Sequence, residues 1–327
     1  MQSIGFVSQR QPDAVEQLKA IWRACFDAEE EYLHLYFSTR YRPDQTLVLE
    51  EDGQILGMLP LLPCTLRALC QGEWRLYRAS YLFAVGTLPQ AQGRQIATRL
   101  LQFADKYLQE QGIAAAVLYP AAPRLYRSYE KRGSEVWFSR SILSFPPLMQ
   151  KGTDWELQPL SAGQYHREQL RLLPQETVLW PRDALLFVKG ESRLYHGDLY
   201  ALCKGGQQRA LCNLYRYTPD EVIVKELLAE PGQQQEELVQ ALRGLFPRAA
   251  LSVRLPAEAE FSTRRSRLHK VVHKSVHNSA GKSRPAEADA KAVLPPAPPA
   301  DSIPAERERP PDEGGCAYKP CTRSCCP

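Results

Sequence analysis

The stretch "QGRQIA", Gln92 to Ala97, holds the residues best arranged for chemistry. It follows an apolar run ending at Val85-Gly86-Thr87 and opens a helical pattern. A strand that hands over to a helix through a short polar loop gathers the helix's first free N–H groups and the positive end of its dipole at one point, which favours a phosphate. Gly93 lets the backbone approach a ligand closely, Arg94 adds a cation and Ala97 is small. Two other clusters carry less. His269, His273 and His277 recur every four residues and would align on a helix as metal ligands, but Arg264, Arg265, Arg267, Lys270 and Lys274 oppose a divalent ion there. Cys316, Cys321, Cys325 and Cys326 lack the paired spacing of a structural zinc site. No metal is expected.

The elements that must position the loop are legible around it. "DAVEQLKAIWRACF" and "EEEYLHLYFSTRY" read as helices, and "TLVLEEDGQILGMLPLLP" as two strands joined at Asp52-Gly53, a dipeptide suited to a two-residue hairpin. "WRLYRASYLFAVGT" is a third strand leading into the loop. From Gly93 to Gln111, Ile96, Leu100, Leu101, Phe103, Ala104 and Leu108 share one helical face that ends at Gly112. "AAAVLYP" is a buried strand, "PRLYRSYEKRG" a helix closed by Gly133, and "EVWFSRSILSF" the closing strands. The fold expected is α/β, a mixed central sheet flanked by helices over residues 1–147.

A second, smaller α/β domain is expected over 153–257, where "ALLFVKG", "DLYALCKGG", "RALCNLYRYT" and "EVIVKELLAE" read as strands, "QQQEELVQALRGLF" as a helix and "AALSVRLP" as a last strand. The similar order in the two halves suggests an internal duplication. Residues 262–327, basic, then rich in Pro and charge, then cysteine-bearing, bury no core and read as a disordered tail. The chain has 327 residues, 44% hydrophobic and 24% charged, with a formal net charge of +4, the composition of an ordinary soluble protein rather than a nucleic-acid binder. No apolar run spans a bilayer and the N-terminus lacks the apolar core of a signal peptide, so the expected location is cytoplasmic.

"VGTLPQAQGRQIATRLL" resembles the coenzyme A loop of the GCN5-related N-acetyltransferases (GNAT), whose pattern is Gln or Arg, two residues, Gly, one residue, then Gly or Ala. Gln92 matches the first position and Ala97 the last, while Gln95 stands at the middle glycine, keeping an N–H but taking up room. One strand and one helix later, "LYRSYEKRG" resembles the family's Tyr, three residues, Gly signature, with Tyr129 before Gly133. The motif-bearing part covers residues 80 to 139, and the tandem arrangement is similar to two-domain members of the superfamily, including the enhanced intracellular survival acetyltransferases. The resemblance implies that Val85, Gly86 and Thr87 offer backbone groups to the pantetheine arm and thioester. It implies that Gln92, Gly93, Arg94, Gln95, Ile96, Ala97 and Thr98 hold the pyrophosphate, and that Tyr129 protonates the departing thiolate. Tyr126, one turn earlier, competes for that role.

No general base stands out. Glu30, His34 and Glu50 are candidates, directly or through water. The second domain has no equivalent loop: "PGQQQEE" carries one glycine followed by acids. It reads as a degenerate copy that shapes the acceptor pocket or makes a homodimer contact, with Trp180, Arg182 and Glu226 as candidates to face the cleft. The function implied is transfer of an acetyl group from acetyl-CoA, as acyl-donor substrate, to a primary amine on a small molecule or peptide, by direct attack in a ternary complex. The partners expected are that amine acceptor, and neither membrane nor nucleic acid. Two alternatives stay open: a non-catalytic ligand- or partner-binding protein on a degenerate acyltransferase fold, and a nucleic-acid contact through the basic run 264–274.

Overall fold

The computed structural model describes residues 2–7, 13–70, 72–120, 123–138, 140–148, 152–172, 176–256 and 272–275. The first segment runs β1 (Gln2–Phe6), α1 (Ala14–Phe26), α2 (Glu30–Thr39), β2 (Thr46–Glu51), β3 (Gln54–Cys70), β4 (Glu73–Leu82), β5 (Gly86–Thr87), α3 (Ile96–Glu110), β6 (Ala115–Leu118), α4 (Pro123–Glu130), β7 (Glu135–Phe138) and β8 (Arg140–Phe145). The second runs β9 (Trp155–Pro159), α5 (Ala162–Leu172), β10 (Thr177–Leu179), α6 (Arg182–Leu194), β11 (Asp198–Lys204), β12 (Gln207–Thr218), β13 (Glu221–Ala229), α7 (Gln235–Leu245), β14 (Ala250–Pro256) and β15 (Val272–Ser275). These strands form two mixed sheets flanked by helices. No described helix is long and apolar enough to cross a membrane.

The first sheet has the order β1-β2-β3-β4-β6-β15-β7, with β5 and β10 also bonded to β3. β3 is long enough to serve two neighbours: Gln54–Pro60 pairs with β2 across the turn at Asp52-Gly53, both with positive φ, and Leu61–Cys70 pairs with β4. The β4–β6 pair is parallel; α3 is the crossover between them. The second sheet has the order β8-β14-β13-β12-β11-β9, parallel only between β13 and β14.

Strands cross between the two sheets. β8 follows β7 directly yet pairs with β14 of the second sheet, rather than closing the first. β10, from the second segment, extends the edge of β3, and β15 inserts between β6 and β7. β15 also differs from the sequence expectation of a tail without structure from 262 onward. The β-branched Val272 suits a strand once open edges on β6 and β7 supply partners. The rest of that tail, with His269, His277 and the four C-terminal cysteines, lies outside the described residues.

One element differs outright. "ALLFVKG" forms part of the helix α6, not a strand: a short apolar run fits either period, and Pro181 ahead of it with Asp183 in the first turn decides for a helix. β1, β9 and α5 are present where the sequence reading assigned nothing.

The core of the first segment gathers Leu18, Ile21 and Trp22 of α1, Leu33 and Tyr36 of α2, Leu47 and Leu49 of β2, Ile55, Met58 and Leu59 of β3, and Ile96, Leu100, Ala104 and Leu108 of α3. Phe187 of α6 joins this core from the second segment. Phe103 lies off the buried face of α3, at 36% exposure. A separate core lies between α7 and the second sheet. The five cysteines among the described residues are free thiols.

α3 sits flush on β3 because Gly57 has no side chain. A Cβ there would fall 2.5 Å from Ile96 Cγ2, 3.1 Å from the Gly86 carbonyl oxygen and 3.3 Å from Leu100 Cδ1. Gly57→Ala should therefore push the first turn of α3 off the sheet and cost about 1–3 kcal/mol, a fall of several degrees in Tm by thermal melting.

Candidate active site at a strand break and a helix start

β4 stops pairing at Leu82, and the chain kinks before β5. Phe83 N–H donates to the Pro60 carbonyl at 3.0 Å and Leu88 N–H to the Leu56 carbonyl at 2.9 Å. Ala84, with φ of 45°, and Val85 fall in no strand ladder between them. Positive φ at a non-glycine residue costs about 1–2 kcal/mol. On the other side, β4 and β6 pair only from Ala79↔Ala115 to Tyr81↔Val117. Beyond that register they part, and a small pocket of about 20 Å³ opens, lined by Leu82, Leu101, Asp105, Ala116, Leu118, Tyr129, Arg132 and Ser134.

The expected site residues fall on two sides of this break. Gly86 is buried, and a Cβ there would lie 2.8 Å from Ile21 Cγ2, so this glycine is required by packing under α1. Thr87 pairs with Gly57; its carbonyl accepts from the Cys25 thiol at 3.2 Å, and its hydroxyl is buried without a partner. Val85 is half-buried. Gln92, Gly93, Arg94 and Gln95 form an exposed loop. Gly93 has φ of 79° and open space around it. Ile96 turns its side chain into the core, so only its backbone belongs to the loop, while Ala97 and Thr98 are half-buried.

Gln95 is the N-cap of α3 with φ 59° and ψ 22°, the left-handed region, and makes no side-chain cap bond. The position where the family pattern has glycine is thus one that demands a glycine-like backbone, and Gln95 adopts it. The cost for a non-glycine residue is about 1–2 kcal/mol. The helix start remains uncapped by any side chain, leaving its first N–H groups directed at the loop.

Two cations flank this start. Arg94 Nη2 is held by both oxygens of Glu51 at 2.7 and 2.8 Å, so its charge is drawn to the β2–β3 turn; the guanidinium in turn pulls the Glu51 carboxyl below its usual range. Arg132, which the sequence reading did not use, reaches the helix start instead: Nη2 donates to Thr98 Oγ1 at 2.7 Å, and Nη1 to the Ser128 carbonyl at 2.7 Å and Ser128 Oγ at 2.6 Å. Its signal was present in "YEKRG", a cation at the end of a helix closed by Gly133.

Tyr129 lines the cleft on the same side as Arg132. Burial pushes its phenol above the ordinary range, against the opposing charge of Arg132, so it keeps its proton near neutrality. Tyr126 is half-buried and does not line the cleft. None of Glu30, His34 and Glu50 lines it either: Glu30 is exposed and paired with Arg23 at 2.7 Å, His34 is exposed, and Glu50 belongs to β2. Of the second-segment candidates, Glu226 accepts from Tyr165 Oη at 2.6 Å, and Gln169 also donates to it. Arg182 lies against Gly163 of α5. Trp180 alone of the three touches β4, with its ring 5.3 Å from that of Tyr81.

Residues 7–130 match the domain model described as Acetyltransferase (GNAT) domain. Solved structures share the fold. A GCN5-related N-acetyltransferase from Anabaena variabilis is 19% identical, with a TM-score of 0.63 over 84% of this chain and 73% of its own. A probable N-acyltransferase from Enterococcus faecalis is 12% identical, with a TM-score of 0.64 over 84% and 73%. Eis1 from Mycobacterium abscessus is 14% identical, with a TM-score of 0.59 over 83% and 73%. No curated protein matches the chain in sequence. The likeness in fold covers more than the first sheet supplies and so includes the second. Residues 7–130 thus match a GNAT acetyltransferase domain, and the fold is the one shared with GCN5-related N-acetyltransferases, a fold that supports acyl transfer.

The left-handed Gln95 gives a stability test. Gln95→Gly should remove the backbone cost and gain about 0.5–1 kcal/mol after the entropy of glycine is counted, a Tm rise of about 1–4 °C. Gln95→Ala, still barred from that region, should give no gain in the same melts.

Proposed function

We propose that the protein is an N-acetyltransferase that uses acetyl-CoA as acyl donor and a primary amine as acceptor, with direct attack in a ternary complex. The observation that carries this reading is the uncapped start of α3, with Gly93 and Gln95 both in left-handed backbone, beside a cleft that holds Tyr129 and Arg132. The backbone N–H groups from Gly93 to Thr98 would hold the pyrophosphate, and Arg132 would add the charge that Arg94 shares with Glu51. The pantetheine arm would enter between β4 and β6, beside the strand break that leads into Val85, Gly86 and Thr87. The bound donor supplies a thioester carbonyl to the acceptor amine. Tyr129 keeps a proton on Oη in a desolvated setting, ready for a departing thiolate. The second segment, read as a degenerate GNAT-like domain, would wall the acceptor side.

Titration of the full chain with acetyl-CoA, together with turnover against a panel of amines, tests this. Tyr129→Phe should lower kcat by about 100-fold or more with acetyl-CoA affinity unchanged. Gly93→Val should weaken acetyl-CoA binding, since its φ of 79° strains any side chain. No saturable binding at millimolar acetyl-CoA would refute the reading in favour of a non-catalytic binding protein.

A further inference from the structure

The far end of the β3–β4 hairpin carries large apolar side chains in water. Leu69, Trp74 and Leu76 are 50%, 40% and 61% exposed. Leu69 stands opposite Trp74, and Arg67 opposite Leu76, so these four side chains share one face. The Arg67 guanidinium lies 4.5 Å from the centre of the Trp74 ring and steadies it.

The edge of β4 is open along the same stretch. β6 joins β4 only from Ala79, and the Arg78 carbonyl accepts from the Ala114 N–H at 2.9 Å. From Glu73 to Tyr77 no strand among the described residues pairs with β4 on the side away from β3. In an antiparallel strand the N–H and C=O of one residue point to the same side, and the side alternates along the chain. The Arg78 carbonyl points away from β3, so the backbone groups of Leu76 and Trp74, two and four residues earlier, do the same. An edge of this kind, with free donors and acceptors beside exposed apolar side chains, is a template for another strand.

We propose that this edge is the interface with a second copy of the chain, in which β4 pairs antiparallel with β4 of the other copy about a two-fold axis at Arg75. The register follows from the edge itself. Arg75 is the midpoint of Glu73–Tyr77. About it, Trp74 of each copy stands opposite Leu76 of the other, and each such pair exchanges both of its N–H···O bonds. Leu69, Trp74 and Leu76 of the two copies then meet in one apolar strip across the axis. Next in line, Gly72 abuts the Arg78–Ala114 bond of the other copy, with no side chain to clash there. An axis at Leu76 would set Trp74 against Arg78, whose carbonyl already serves Ala114. An axis between residues would put Trp74 and its partner on opposite faces. Charge fits the same choice: Arg75 meets Arg75 at the axis, and each is paired with its own Glu73 at 3.1 Å, which offsets the like charges. From Arg75 to Leu82 the strand advances about 23 Å. The pocket lined by Leu82 and Tyr129 is therefore clear of the interface, and the proposal stands whether or not the chain transfers acetyl groups.

Sedimentation equilibrium of the full chain at up to about 100 μM should show a reversible dimer. Leu76→Glu should raise the dimer dissociation constant at least about 10-fold. Leu76→Pro, which removes an outward N–H that β3 does not use, should do the same, with the far-ultraviolet circular dichroism of both variants unchanged. Arg75→Cys should crosslink to itself under mild oxidation, because the opposed Cα atoms fall within disulfide range, and peptide mapping should place the bond at residue 75. A wild type that stays monomeric overturns the proposal whatever the variants do. So does a dimer that both Leu76 variants leave intact, and so does an oxidised Arg75→Cys chain with no bond between the two introduced cysteines.

Discussion

The seating of Ile96 over Gly57 is the contact on which the site depends. α3 begins at Ile96, and Ile96 is held 2.5 Å from where a Gly57 side chain would be, with the Gly86 carbonyl close on the other side. One missing Cβ therefore fixes three things: the height of α3 on the sheet, the position of its free N–H groups, and the short strand β5 that carries Gly86 and Thr87. The kink at Ala84 and the left-handed Gln95 are local costs, of order 1 kcal/mol or somewhat more each. They are sustained because a core that includes Leu100, Ala104 and Leu108 anchors the rest of the helix.

The second constraint is the exchange of strands between the sheets. β7 and β8 are separated by one residue and belong to different sheets, while β10 and β15 bring the second segment back to the first. Backbone pairing thus couples the two segments in addition to the contact of α6 with α2. Such coupling suits a site that takes its walls from both sides, because each wall is then fixed relative to the strand break by hydrogen-bonded ladders. It also explains why the core of the first segment includes Phe187, a residue of the second.

What could be read in advance followed from locality. The loop from Gln92 to Ala97, the helix after it, the Asp52-Gly53 hairpin and the close of α4 at Gly133 are each decided within a few residues, and each stands in the structure as expected. The destinations of β8 and β15 could not be read, since open strand edges far away in sequence decide them. The helix α6 was hidden because "ALLFVKG" is too short for its period to discriminate; the deciding residues, Pro181 and Asp183, lie before the apolar run. At the site, motif reasoning singled out Tyr129, which lines the pocket, but not the pairing of Arg94 with Glu51, forty-three residues apart in the chain.

The two arginines at the helix start illustrate why residue type alone was a poor guide to charge. Arg94 sits in the loop itself, yet its partner Glu51 is about a third exposed and the arginine somewhat more, so solvent screens the pair and it is exchangeable. A phosphate, with more charge and more acceptor oxygens, is the stronger partner for a guanidinium in that position. Arg132 is thirty-four residues beyond Thr98, but Ser128 and Thr98 hold its guanidinium from two sides, in a pocket that Asp105 also lines. The guanidinium bonded at the start of α3 is therefore that of Arg132, whereas Arg94 is turned toward the carboxylate of Glu51.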